Sequence, residues 1–201
     1  PLGVAAAKNR NGALDFVAGL FSHVGIAVPG FWVGLLLIIV FSTTLGWMPS
    51  GGFPCWSPSV LAGLMALVLP AIALALSQAG VLTRVCRSAV LEVMNEDFVR
   101  TARAKGLSER VALWQHAVPN AMIPVVTMIG LQFTFLIAGA VLVENVFNLP
   151  GLGRLAHQAL AQRDIIVMQD VVLFFSGLVI IVNFNVDLGY LAIDPRLRTA
   201  R

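Results

Sequence analysis

The sequence predicts an all-α, polytopic membrane protein, and three observations carry that reading. Of the 201 residues, 58% are hydrophobic and only 11% are charged, whereas a soluble domain carries about 25% charged residues. No Asp, Glu, Lys or Arg occurs between Asp15 and Arg84, a stretch far longer than the roughly 7–15 apolar residues of a signal peptide. Four apolar segments, at residues 28–47, 59–82, 121–143 and 171–193, each reach the ~20 residues a helix needs to cross a hydrocarbon core. None alternates with a period of two. A strand in lipid satisfies its backbone only within a closed barrel, so helices are expected.

The chain opens with "PLGVAAAK", small apolar residues ending at a lysine. This reads as the tail of a further helix, so an N-terminally truncated start is expected. The first span leads into "MPSGGFPCWSP", whose prolines and glycines make a short loop. Trp47 and Trp56 flank that loop, as aromatic anchors do at an interface. Residues 84–120, between the second and third spans, form a charged island. "ENVFNLPGLGRLAHQALAQRDIIVMQ" separates the third and fourth spans and is amphipathic, and "DPRLRTAR" follows the fourth.

The basic residues sort by side. Eleven of the thirteen Lys and Arg lie before the first span, after the second or after the fourth, and only Arg154 and Arg163 lie on the other side. Cytoplasmic loops carry the excess of Lys and Arg, so the side with eleven is expected inside. Cys55 and Cys86 then fall on opposite faces and cannot pair. The net charge of +3 calls for no nucleic-acid partner.

Within the island, Leu91, Met94, Phe98 and Ala102 recur at three- and four-residue steps, the spacing of one helix face. Arg100, Arg103 and Lys105 lie off that stripe. Gly106 breaks the helix. Ser108 is placed to cap a second one, with Glu109 in its first turn. This second helix carries Val111, Leu113 and Trp114 and is expected to end at Pro119, with Pro124 just inside the next span. Such a helix–elbow–helix suits two roles: docking in a groove of a partner, or lying on anionic lipid.

Other residues carry chemistry less clearly. Asp187, near Asn183 and Asn185, is an acid within the fourth span. It either faces inward or hydrogen-bonds a neighbouring helix near the span's end. Gln132, Thr134 and Gly139 either line a pathway or pack against another helix. "GLGRLA" at 151–156 matches a dinucleotide fingerprint by letter but follows no strand. No phosphate-binding G-x-x-x-x-G-K-[ST] occurs. His23, His116 and His157 share no metal-ligand spacing, and no cofactor is implied. An intramembrane enzyme would need a catalytic constellation that the spacing does not offer.

The island resembles the EAA loop of ABC importer permeases. Gly106 takes the glycine place, and His116, Val118 and Pro119 take the Ile, Leu and Pro places at the family's spacing. Ala102 keeps the second alanine, while Arg100 and Thr101 stand where Glu and the first alanine are expected. "DFVRTARAKGLSE", "VPGFWVGLLLI", "LGWMPSGGF", "VFNLPGLGRL", "NFNVD" and "DPRLR" are similar to the dipeptide, oligopeptide and nickel branch, on its B-type subunit. The resemblance implies one type I ABC importer transmembrane domain over 1–201, lacking its N-terminal helices, with residues 84–120 as a cytoplasmic coupling loop. It implies a non-catalytic subunit of the bacterial inner membrane that forms a path for peptides, a nickel complex or glutathione. Its expected partners are a homologous second permease subunit, two ATP-binding subunits that hydrolyse ATP, an extracytoplasmic solute-binding protein and membrane lipid. Arg100, Thr101, Ala102, Arg103, Gly106, His116 and Pro119 would form the contact with the ATPase. A secondary transporter or channel with an amphipathic cytoplasmic loop is the other reading of the same pattern.

Overall fold

A computed structural model of the chain describes residues 1–54 and 59–193. Cys55 and Trp56, and the terminal Arg196, Arg198 and Arg201, lie outside the described residues. Those described form helices and connecting turns, with no strand. In chain order they are α1 (Leu2–Lys8), α2 (Ala13–Ala27), α3 (Gly30–Leu37), α4 (Val60–Met94), α5 (Asp97–Ala104), α6 (Glu109–Val111), α7 (Val118–Val146), α8 (Leu152–Gln162) and α9 (Ile165–Ile193). Two π-helical segments, Ile38–Thr44 and Ala112–Ala117, extend α3 and join α6 to α7. Val60–Met94, Glu109–Val146 and Ile165–Gly189 are each long and apolar enough to cross a membrane. The pair Ala13–Ala27 and Gly30–Thr44 would make a fourth span if counted together, although it bends by 101°.

The expected first segment, residues 28–47, therefore starts inside a longer helical stretch. Pro29 causes the bend. It is extended, at φ −62 and ψ 137, where it caps α3, and it lacks the N–H that a continuous helix would use. The π segment closes with wide-turn bonds: Thr43 and Thr44 Oγ1 donate to the carbonyls of Ile38 and Ile39, at 3.3 and 2.7 Å. α4 also exceeds expectation, running to Met94 rather than ending near residue 82.

The chain divides into two compact units. The first comprises Pro1–Val24, Ala79–Gln132 and Ile181–Arg201. Its core joins Val4, Ala7, Cys86, Ala89, Val90, Leu113, Ala117, Ala121 and Val125. Small residues let its helices approach closely. A Cβ on Gly3 would sit 2.7 Å from the Thr83 carbonyl oxygen and 2.9 Å from Cys86 Cβ.

The second unit comprises Gly25–Gln78 and Phe133–Ile180 and is built round one aromatic ring. Phe147 is fully buried with Leu69, Ala73, Val143 and Leu149. Gly34 lies against its ring, where a Cβ would meet Cε2 at 2.9 Å. Gly51 lies against its backbone, where a Cβ would meet the carbonyl oxygen at 2.4 Å, and the Gly52 N–H donates to that same oxygen at 2.8 Å. Three separate stretches, "VPGFWVG", "MPSGGF" and "ENVFNLPG", thus meet at Phe147.

Candidate coupling elbow

α5 is short and strongly amphipathic. Val99 and Ala102 are buried, while Phe98, Arg100, Thr101 and Arg103 are exposed. The stripe expected through Leu91, Met94, Phe98 and Ala102 is therefore broken. The helix stops at Met94, where the Asn95 side chain donates to the Leu91 carbonyl at 2.8 Å. A polar side chain bonding its own backbone competes with helix continuation. The break shifts the phase of α5, so that Val99 turns inward in place of Phe98.

α5 ends as the glycine foretold. The Leu107 N–H donates to the Ala102 carbonyl at 3.3 Å and the Gly106 N–H to the Arg103 carbonyl at 3.0 Å. These two bonds are the Schellman pair, with Gly106 in the left-handed position at φ +94. A Cβ there would meet nothing within 4 Å, so the constraint is on the backbone alone. Ser108 then caps the next helix, its Oγ accepting from the Val111 N–H at 3.4 Å.

Pro119 does not end that helix, contrary to expectation. Helical backbone runs without a stop over Glu109–Val146. The reason lies just before the proline. In the π segment Ala112–Ala117 the turn is wider, and the Val118 N–H reaches back to Leu113. A wide turn relieves the clash between a proline ring and the preceding carbonyls. α5 packs on this π segment. Leu113 and Ala117 are buried, His116 is half-buried, and Trp114 and Pro119 are exposed. With Phe98 and Leu107, Trp114 leaves three large apolar side chains open on and around the elbow.

The other candidates are not brought to one place. Gln132 is buried and its Nε2 has no hydrogen-bond partner. Gly139, two turns on, faces Leu74, whose Cδ2 would lie 3.2 Å from an added Cβ. Thr134 is exposed, roughly 200° round α7 from Gln132. Asp187 is exposed and makes no hydrogen bond or ion pair among the described residues, while Asn185 bonds only the Ile181 carbonyl of its own helix.

Two carboxylates escaped the sequence reading. Asp15, only 8% exposed, is bidentate to Arg87: Nη2 donates to Oδ2 at 2.7 Å, Nε donates to Oδ1, and the Asn11 N–H also donates to Oδ2. The signal available was Asp15 itself, the last charge before the long uncharged stretch. Glu144 caps α8 from outside it, its Oε2 accepting from the Arg154 N–H at 2.9 Å. A Cβ on Gly151 would sit 2.2 Å from that carboxylate. The glycines of "GLGRLA" thus make room for a carboxylate of the chain itself.

These helices and this capped elbow define a multi-pass helical membrane protein. Residues 1–199 match the family described as binding-protein-dependent transport system inner membrane component, and the chain belongs to that family. It is 46% identical over 197 residues to a Brucella abortus (strain 2308) protein provisionally named a peptide transport system permease. It is 45% identical over 197 residues to the glutathione transport system permease protein GsiC of Salmonella typhi. Each alignment covers 98% of this chain, but only 63% and 62% of the relative's length.

Proposed function

We propose that the chain is part of a permease subunit of an ATP-driven importer in a bacterial inner membrane. In this reading the side bearing eleven basic residues is cytoplasmic. The subunit pairs with a homologous permease, sits on two ATP-binding subunits and receives solute from an extracytoplasmic binding protein. It performs no bond chemistry itself. The relatives' names, one for peptide and one for glutathione transport, favour a peptide or a peptide-like small solute, with a nickel complex as a further cargo of the branch.

The observation that carries this reading is the Gly106 elbow with its open apolar side chains. Phe98, Leu107 and Trp114 are exposed beside Arg100, Thr101 and Arg103, as a helix laid in a partner's groove requires. Ala102 anchors α5 to the chain's own core, and His116 and Pro119 lie at the base of α7. ATP-driven closure of the partner would then move α5 and, through its packing on the π segment, the start of α7. Gly106→Val tests this. A side chain at φ +94 strains the backbone by about 1–2 kcal/mol, small against membrane insertion but large against a docking contact. Insertion and solute delivery should survive, while ATPase co-purification and solute-stimulated hydrolysis in vesicles should fall. Normal coupling in Gly106→Val would remove the elbow's mechanical role.

A further inference from the structure

The first unit holds a cleft of about 450 Å³ that shares only Arg103 with the coupling contact. It lies where the end of α1, the end of α4, α5 and α6 come together. Lys8, Arg10, Arg103 and Arg110 line it, with Glu109 as the one acid among its lining residues. None of the four basic side chains makes a hydrogen bond or an ion pair among the described residues. The neighbouring acids supply only part of the missing charge. Asp15 also feels Arg10 but is held in a bidentate pair by Arg87, and Asp97 lies 3.7 Å from Arg100. Four cations against one acid leave the cleft net positive, and like charges repel one another, so the arrangement calls for an anion. Apart from Asn95, the rest of the lining is apolar, with Leu91 and Met94 beside the charges. A ligand matching both has a phosphate head and a greasy stem.

The geometry points to a binding site for an anionic glycerophospholipid, with the phosphodiester among Lys8, Arg10, Arg103 and Arg110 and the first acyl carbons against Leu91 and Met94. Basic pockets between helices on the cytoplasmic side hold such headgroups, each cation near the surface contributing about 1 kcal/mol. The site rests on the sidedness proposed above only for which leaflet supplies the lipid. Its chemistry can be tested in membranes whose two leaflets are identical.

The assembled transporter, carrying the full-length permease, would be placed in nanodiscs of phosphatidylcholine with and without phosphatidylglycerol, and retained lipid read by native mass spectrometry. Phosphatidylglycerol should be retained over phosphatidylcholine, and raised salt should weaken the preference. Lys8→Gln with Arg10→Gln, both outside the elbow, should weaken retention about 30-fold, and the charge-keeping pair Lys8→Arg with Arg10→Lys should retain most of it. If the double variant fails to assemble, a photoactivatable phosphatidylglycerol on the unaltered transporter should label the Lys8–Arg10 stretch. Equal retention of the two lipids would overturn the site. So would displacement of the lipid by millimolar inorganic phosphate, or a crosslink of Arg10 to a carboxylate of the ATP-binding subunit. Loss of coupling in Gly106→Val speaks to the elbow alone, so the two readings can fail separately.

Discussion

The two compact units use opposite means to hold their helices. The first contains eleven of the chain's thirteen basic residues and the second only Arg154 and Arg163. The first has a core rich in alanine and valine and a half-buried ion pair, Asp15–Arg87. The second has Phe147 enclosed by glycines and a carboxylate, Glu144, that caps a helix. Charge at the first unit thus does two jobs, one structural and one left open to solvent, whereas the second spends its few polar groups on its own backbone. If the first unit meets partners and headgroups as proposed, its unpaired cations are what they would contact.

The largest test of this contrast removes the ion pair. Asp15→Ala leaves the Arg87 guanidinium, 33% exposed, without its carboxylate. Removing one partner leaves the other charge uncompensated, so this loss should be the largest of the series, though below that of a fully buried pair. Thermal unfolding in detergent would show it. The double variant Asp15→Ala, Arg87→Ala should cost less than the two single losses added together. Additive losses would mean that the pair is not coupled.

The second unit answers with a steric test. Gly51→Ala places a Cβ against the Phe147 carbonyl, and the loop must move, at about 1–3 kcal/mol. Gly106→Ala, with open space around it, should cost about 1 kcal/mol through backbone torsion alone. Asparagine separates the two mechanisms. Asn tolerates the left-handed region, so Gly106→Asn should recover stability in the same melting assay, whereas Gly51→Asn should be worse than Gly51→Ala.

The smallest effect is expected at Glu144. Glu144→Ala removes an acceptor from the start of α8 at about 1 kcal/mol, and Glu144→Gln, which keeps an acceptor oxygen, should cost less. Hydrogen exchange at the Arg154 amide reads this locally. Faster exchange there, with no change in the first unit, would sharpen the division between the two. Unchanged exchange would show that the carboxylate does not hold the helix.

Sequence alone made the long helices legible because apolar length is a local property. The Gly106 turn was legible for the same reason, since a glycine between two polar helical stretches has few other uses. What escaped depended on pairing or on phase. Asp15 and Arg87 are 72 positions apart, and no periodicity joins them. The stop at Asn95 turns on one side-chain bond, which moved Val99 into the core and Phe98 out. Pro119 reads as a terminator unless the wide turn before it is known. Among the interior candidates, Gln132 was recognisable as polar in an apolar segment, but its burial and its unpartnered amide belong to packing.

The π segment at Ala112–Ala117 also has a consequence for how the chain can change length. Leu113, Ala117, Ala121 and Val125 all reach the same core, spaced by four. In a straight α-helix each such step drifts by about 40°, so the four would fan over roughly 120°. The wider turn takes back part of that drift and brings Leu113 into line with the others. It acts as a phase corrector, and its extra residue is the correction. Substitutions within it are local events. Deleting a single residue would let the segment tighten to an ordinary helix with the elbow's facing nearly kept, because five residues at about 100° each sweep about the angle that six sweep in the wider turn. Deleting a second would turn everything before it by about 100° relative to the core, carrying Ser108 and the elbow round with it.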